Sequence, residues 1–157
     1  MPERRRSAMM TYIKMDTLPP FQYVRLGDFT YHLLSDPALI KSHLTKWMMR
    51  EWEHDHNEAP HEHWTVEWMQ VFPKMDFTLE ILPLKEIQPH PDLWAVQEFQ
   101  SSLQERADDR EWSVLRGVSI EPLVVNRSGF QLMDGYTRYV VLKRYQQQNV
   151  YAYVGRA

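Results

Sequence analysis

Apolar positions recur at helical spacing through much of the first half of the chain. Asp36 and Pro37 open the first such run, Asp36 as a cap and Pro37 at the first helical position. Ile40, Leu44, Trp47 and Met48 then fall at i, i+4, i+7 and i+8 and predict one apolar stripe. Trp64, Trp68, Val71 and Phe72 repeat that spacing and predict a second helix over about 61–72. The polar stretch from His54 to Pro60 reads as the loop between them. The pair is a helical hairpin whose aromatic stripe serves as core. Some extended chain is expected near 21–26.

After Pro73 and Lys74 the pattern changes. Phe77-Thr78-Leu79-Glu80-Ile81 alternates apolar and polar residues, as a half-buried strand does. Pro83, Pro89 and Pro91 mark turns. Val96, Phe99 and Leu103 share one face of a helix over about 92–105, and Asp109 to Leu115 adds a short helical turn closed by Gly117. Leu123-Val124-Val125 is a short buried strand. Arg127-Ser128-Gly129 turns the chain, and Phe130-Gln131-Leu132-Met133 returns it as a second strand. A helix over about 136–147 and a last strand, Val150 to Val154, complete the order strand, helix, hairpin, helix, strand. The reading is α+β: residues 1–75 form a mainly helical N-terminal extension, and residues 76–157 a small mixed sheet with helices.

Composition narrows the function classes. The chain has 157 residues, enough for one domain or a core plus one extension. At 43% hydrophobic and 13% aromatic residues it can build a buried core, which excludes wholesale disorder. It has no cysteine, which excludes disulfides, thiolate metal sites and cysteine nucleophiles. The net charge is −3, with 18 Lys and Arg against 21 Asp and Glu spread fairly evenly. Charge therefore gives no support to DNA as a partner, since nonspecific nucleic-acid binding shows a basic excess on one face. Arg4-Arg5-Arg6 reads as a basic tail. No apolar run approaches the roughly 18 residues of a membrane span and no secretory signal is visible, so no membrane partner and a cytoplasmic location are expected.

The candidate chemistry sits in Asp134-Gly135-Tyr136-Thr137-Arg138-Tyr139, where a strand turns into a helix. Arg138, Val141, Leu142 and Tyr145 fall at i, i+3, i+4 and i+7, so Arg138 lies on the inward face in the first helical turn. A buried guanidinium needs an anion. Gly135 lets the backbone approach closely, the free amides of the helix start point the same way, and Thr137 adds a hydroxyl. Two readings follow: the turn cradles a phosphate or carboxylate, or Arg138 pairs with Asp134 or another acid and braces the fold.

This part of the sequence resembles the ParB/sulfiredoxin superfamily. The resemblance rests on Pro122-Leu123-Val124-Val125, the hairpin, the Gly135-to-Arg138 turn and the helix after it. Leu84 to Pro91 resembles the superfamily's opening strand and loop. It covers about 77–154 and implies a site for ATP, ADP or CTP, with Mg2+ as an accompanying ion. By resemblance Asp134, Gly135, Tyr136, Thr137 and Arg138 bind the nucleotide, with Gly135, Thr137 and Arg138 on its phosphates. Sulfiredoxins carry Cys-His after the glycine where this chain has Tyr136-Thr137, so sulfinic acid repair through a thiolate is excluded. ParB partition proteins carry Glu-Arg-Arg there and a DNA-binding helical domain afterwards, which is not expected in a chain ending at Ala157. The free serine kinase branch, with Asp-Gly-His-His-Arg at its turn, is the nearest enzyme relative. It shares Asp134-Gly135 and a histidine in the upstream loop, here His90, while its two turn histidines are missing. His90 or Asp92 could then deprotonate a small hydroxyl substrate while the turn orients the phosphate. Asp92 equally suits a helix N-cap after Pro91.

His54-Asp55-His56 and His61-Glu62-His63 contain metal-ligand residue types, but their spacing and the intervening polar residues read as a solvated connection, and no metal site is assigned. The function classes left open are a small nucleotide-dependent phosphotransferase or hydrolase, a noncatalytic nucleotide-sensing or DNA-associated module whose helical half docks a partner or a second copy, and an interaction scaffold without a ligand.

Overall fold

The computed structural model describes residues 19–58 and 70–157, with side chains described for 19–50 and 70–157. β1 (Gln22–Leu26) and β2 (Phe29–Leu33) pair as an antiparallel hairpin. The expected extended chain near 21–26 is β1. The sequence reading does not include β2, although Phe29, Tyr31 and Leu33 alternate with Thr30 and His32 as a half-buried strand requires, and all three are buried.

Helix α1 (Pro37–Glu58) starts as the sequence predicts. The Leu39 amide donates to Asp36 Oδ2 at 3.1 Å, with Pro37 at the first position. Ile40, Leu44 and Met48 are buried, but Trp47 is 37% exposed and leaves the core stripe. The helix continues through His54, Asp55 and His56 to Glu58, where the sequence reading has a loop. That reading rests on polarity, and polarity alone does not stop a helix; the next strong breaker is Pro60. Residues 59–69 lie outside the described residues. With them go His61, Glu62, His63 and most of the expected second helix, including Trp64 and Trp68. So do Arg4, Arg5 and Arg6. Phe72 is buried in a short 3-10 turn, Phe72–Lys74.

Four strands form one mixed sheet: β3 (Asp76–Pro83), β4 (Leu123–Asn126), β5 (Gln131–Asp134) and β6 (Asn149–Arg156), in the order β3-β6-β4-β5. β6 runs antiparallel to β3 and parallel to β4, and β5 returns antiparallel to β4. Three helices accompany it: α2 (Pro91–Trp94), α3 (Gln97–Val114) and α4 (Tyr136–Arg144). The fold is α+β, as expected. Residues alternate across the sheet. Phe77, Val124, Met133 and Tyr153 face one core with Ile40, Leu44 and Met48 of α1. Leu123, Val125, Leu132, Val150, Ala152 and Val154 face the other, with Phe29, Tyr31 and Leu33 of the hairpin, Leu103 and Ala107 of α3, and Val141 and Leu142 of α4. The central strands β4 and β6 are thus covered on both sides, while β3 is an edge strand and its Ile81 is 51% exposed.

The helices depart from the sequence reading in two places. The predicted helix over 92–105 is broken at Val96, whose extended backbone (φ −78°, ψ 115°) starts α3. The Gln100 side-chain amide donates to the Trp94 carbonyl at 2.8 Å and so satisfies the exposed end of α2. Beyond Leu103, α3 runs unbroken to Val114 instead of pausing before Asp109. Buried Leu103 and Ala107 hold it, and Arg144 of α4 pairs with Asp108 at 2.8 Å and Glu111 at 2.9 Å.

Candidate functional site

β5 ends at Asp134 and α4 begins at Tyr136, so the chain reverses through Gly135. Gly135 has φ 98°, a left-handed conformation. A Cβ there would lie 2.7 Å from Arg138 Nη2 and 2.9 Å from Leu123 Cδ2, so those side-chain ends would have to shift, and the left-handed backbone itself favours glycine. No side-chain hydrogen bond caps the start of α4.

Arg138 points back under this turn, its side chain 12% exposed. Its Nη2 donates to the Pro122 carbonyl at 3.3 Å and stands 3.8 Å from Asp134 Oδ2, outside hydrogen-bond range. Asp134 Oδ2 instead accepts a 2.9 Å hydrogen bond from the Trp47 indole N–H of α1. The buried Nε of Arg138 has no hydrogen-bond partner among the described residues. Bracing by Asp134 is therefore present but loose.

Helix α3 supplies the facing wall. Leu103, Arg106, Ala107 and Arg110 follow i, i+3, i+4, i+7 spacing, which carries two guanidinium groups on the face whose apolar members are buried. Together with Trp47, Phe99, Asp109, Ser113 and the turn residues Asp134 to Arg138, they line a cavity of about 470 Å3. Arg110 makes no hydrogen bond or ion pair with any described residue. Burial, and then the neighbouring Arg138 guanidinium, push its pKa below the usual arginine range, with Glu121 partly opposing. Arg144 on the other side of α3 is the contrast: it bonds Gln104, Asp108 and Glu111, and its pKa is raised, chiefly by the Asp108 hydrogen bond.

Behind the arginines lies a half-buried acid. Glu121 Oε1 accepts from His43 Nε2 at 2.6 Å, and His32 Nε2 stands 4.0 Å from the same oxygen. Burial alone would raise the Glu121 carboxyl; the His43 hydrogen bond and the charge of Arg138 outweigh it and hold the group ionised below the usual range. His32 is shifted down, first by burial.

The structure brings Asp134, Gly135, Tyr136, Thr137 and Arg138 together at the cavity. Tyr136 is buried, and its hydroxyl donates to the Leu132 carbonyl at 2.9 Å and accepts from the His90 amide at 3.0 Å, so the group ties the upstream loop to the turn. His90 and Asp92 are not among the cavity-lining residues. His90, not Asp92, is the α2 cap: its Nδ1 accepts from the Asp92 amide at 3.2 Å. No group of three or more His, Cys, Asp or Glu among the described residues could hold a metal ion. Among the described residues the carboxylates lining the cavity are Asp109 and Asp134, against three arginines. Among the described residues no helix is long and apolar enough to cross a membrane.

The sequence reading misses Arg106 and Arg110 as site residues, and it assigns Trp47 and Phe99 to core stripes. The spacing argument that singles out Arg138 reaches Arg110 once α3 is taken as one helix; Arg106 shares the spacing but is exposed. Phe99 is part of a packed pair, edge-on to Tyr136 at 5.5 Å.

No family model matches the chain, and no curated protein matches it in sequence. Among solved structures the chain is similar to two of a pNOB8-like ParB N-domain, at 21% and 22% identity with TM-scores of 0.40 and 0.38. Each match covers 52% of this chain, and 30% and 28% of those chains, so the similarity spans under a third of their length.

Proposed function

We propose that the cavity at the start of α4 binds the phosphates of a nucleotide, and that the protein acts as a nucleotide-binding module. One observation carries this reading. Arg110 and Arg138 line the same cavity, Arg110 partly buried and its charge disfavoured by burial and by the neighbouring Arg138, with no carboxylate hydrogen-bonded to either. Guanidinium groups without a hydrogen-bonded acid in such a place are costly unless an anion is shared between them. Phosphate suits both: its oxygens accept from planar guanidinium forks and from backbone amides at a helix start. Arg106 extends the cationic wall along α3, as a chain of phosphates would require. The volume of about 470 Å3 is within the range of small-ligand sites.

Binding is better supported than phosphoryl transfer. The two residues that sequence reasoning offered as a base, His90 and Asp92, do not line the cavity. The test is calorimetric titration of the wild-type chain and Arg138→Ala with ATP, ADP and CTP, alongside a product assay with and without serine and DNA. The expected result is micromolar binding of at least one nucleotide, weakened about 10- to 100-fold by the substitution, as loss of a charge-assisted pair worth about 1.5–3 kcal/mol implies. Unchanged affinity in the variant overturns the reading, and steady turnover replaces the binding module with an enzyme.

A further inference from the structure

We infer that α1 is part of the ligand site and that Trp47 is the platform on which the nucleobase stacks. This rests on the phosphate reading above and adds where the rest of the ligand goes. Trp47 lies in the apolar run of α1, yet Ile40, Leu44 and Met48 are buried and Trp47 is 37% exposed. Its indole N–H is committed to Asp134 Oδ2 at 2.9 Å, which fixes the ring at the edge of the phosphate turn. The ring lines the cavity and packs against no other aromatic ring among the described residues. The other two rings of the cavity are already engaged. Phe99 sits edge-on to Tyr136 and carries the Arg106 guanidinium 5.9 Å from its centroid, and Tyr136 also meets Trp94 at 6.2 Å. Cations on α3 and α4 thus define a polar wall, and the partly exposed Trp47 ring stands beside it. An indole face takes any nucleobase, because every base has a π-face. The N-terminal helix then does more than cover the sheet: it supplies the aromatic half of a site whose ionic half comes from α3 and α4.

The test compares Trp47→Phe with Trp47→Ala, both of which lack the indole N–H and differ only in the flat ring. Each is titrated with ATP and with inorganic tripolyphosphate. The expected result is a roughly ten-fold or greater loss of ATP affinity from the phenylalanine to the alanine variant, with tripolyphosphate affinity equal in the two within about two-fold. Equal ATP affinity in the two variants overturns the inference, as does a parallel loss for both ligands. Photolabelling of the wild-type chain with 2-azido-ATP gives a reading that needs no variant to fold: the label should fall on the tryptic peptide Trp47-Met48-Met49-Arg50, and labelling confined to other peptides overturns the platform. Wild-type binding of tripolyphosphate without preference for an attached base leaves the phosphate site standing and removes Trp47. Binding of neither ligand removes both.

Discussion

The indole N–H of Trp47 donates to the Asp134 carboxylate at 2.9 Å, while Arg138 stands 3.8 Å from the same oxygen. Asp134 is thus turned toward α1 and only partly neutralises the arginine one helical turn ahead of it. Its charge still opposes an incoming phosphate. Asp134→Asn keeps an acceptor for Trp47 and removes that charge. It should tighten phosphate binding by about 1 kcal/mol, roughly five-fold, the scale of a partly exposed charge pair. Titration of the variant with ATP checks this, and weaker binding would show that Asp134 helps to hold the ligand.

Gly135→Ala should damage both fold and site. The left-handed φ of 98° strains any side chain there, and the added carbon would push on the ends of Arg138 and Leu123 at 2.7 Å and 2.9 Å. A cost of about 1–3 kcal/mol in urea unfolding is expected, with Arg138 displaced. Stability within error of wild type would mean that the turn can relax.

Acid should destabilise the protein in two stages. His32 has a folded pKa below the ordinary 6.5, so the unfolded chain takes up its proton first and stability is lost as pH falls through that value. Glu121 has a folded pKa below 4.5, so its contribution is complete above 4.5 and disappears as pH falls toward the folded value. Urea midpoints from pH 7.5 down to 4 should fall throughout, and His32→Asn should remove the upper stage. A midpoint that rises on acidification would contradict these signs.

Asp92→Asn should leave nucleotide affinity unchanged within about two-fold, since Asp92 occupies the second position of α2 and lies off the cavity. A loss of affinity or of turnover in this variant would return Asp92 to the chemistry.

Much of the fold is legible in the residues. Asp36 and Pro37 announce α1, and Gly135 and Arg138 mark the turn, because each carries its own local reason. The errors arise where tertiary contacts override local pattern. The sequence suggests a break between about 105 and Asp109, but Arg144 from α4 bonds Asp108 and helps keep α3 continuous. Trp47 has core spacing and leaves the core because Asp134, 87 residues later, takes its N–H. β2 is short and follows a Gly-Asp turn, and although its alternation is present in the residues, the bridge from Tyr31 to the distant Ile120 is seen only in the folded chain. Arg106 and Arg110 were within reach of the same spacing rule as Arg138; breaking α3 in two hid them.

Arg110→Gln tests the central claim most directly, with nucleotide affinity and thermal stability measured on one preparation. Arg110 is partly buried, repelled by Arg138 and without a hydrogen-bonded acid; if it serves the proposed ligand, it does so at some cost to the unliganded fold. The expected result is an unliganded melting temperature equal to or above wild type, together with ATP affinity reduced about ten-fold or more. A lower melting temperature with unchanged ATP affinity would make Arg110 a structural residue and contradict a phosphate site between Arg110 and Arg138.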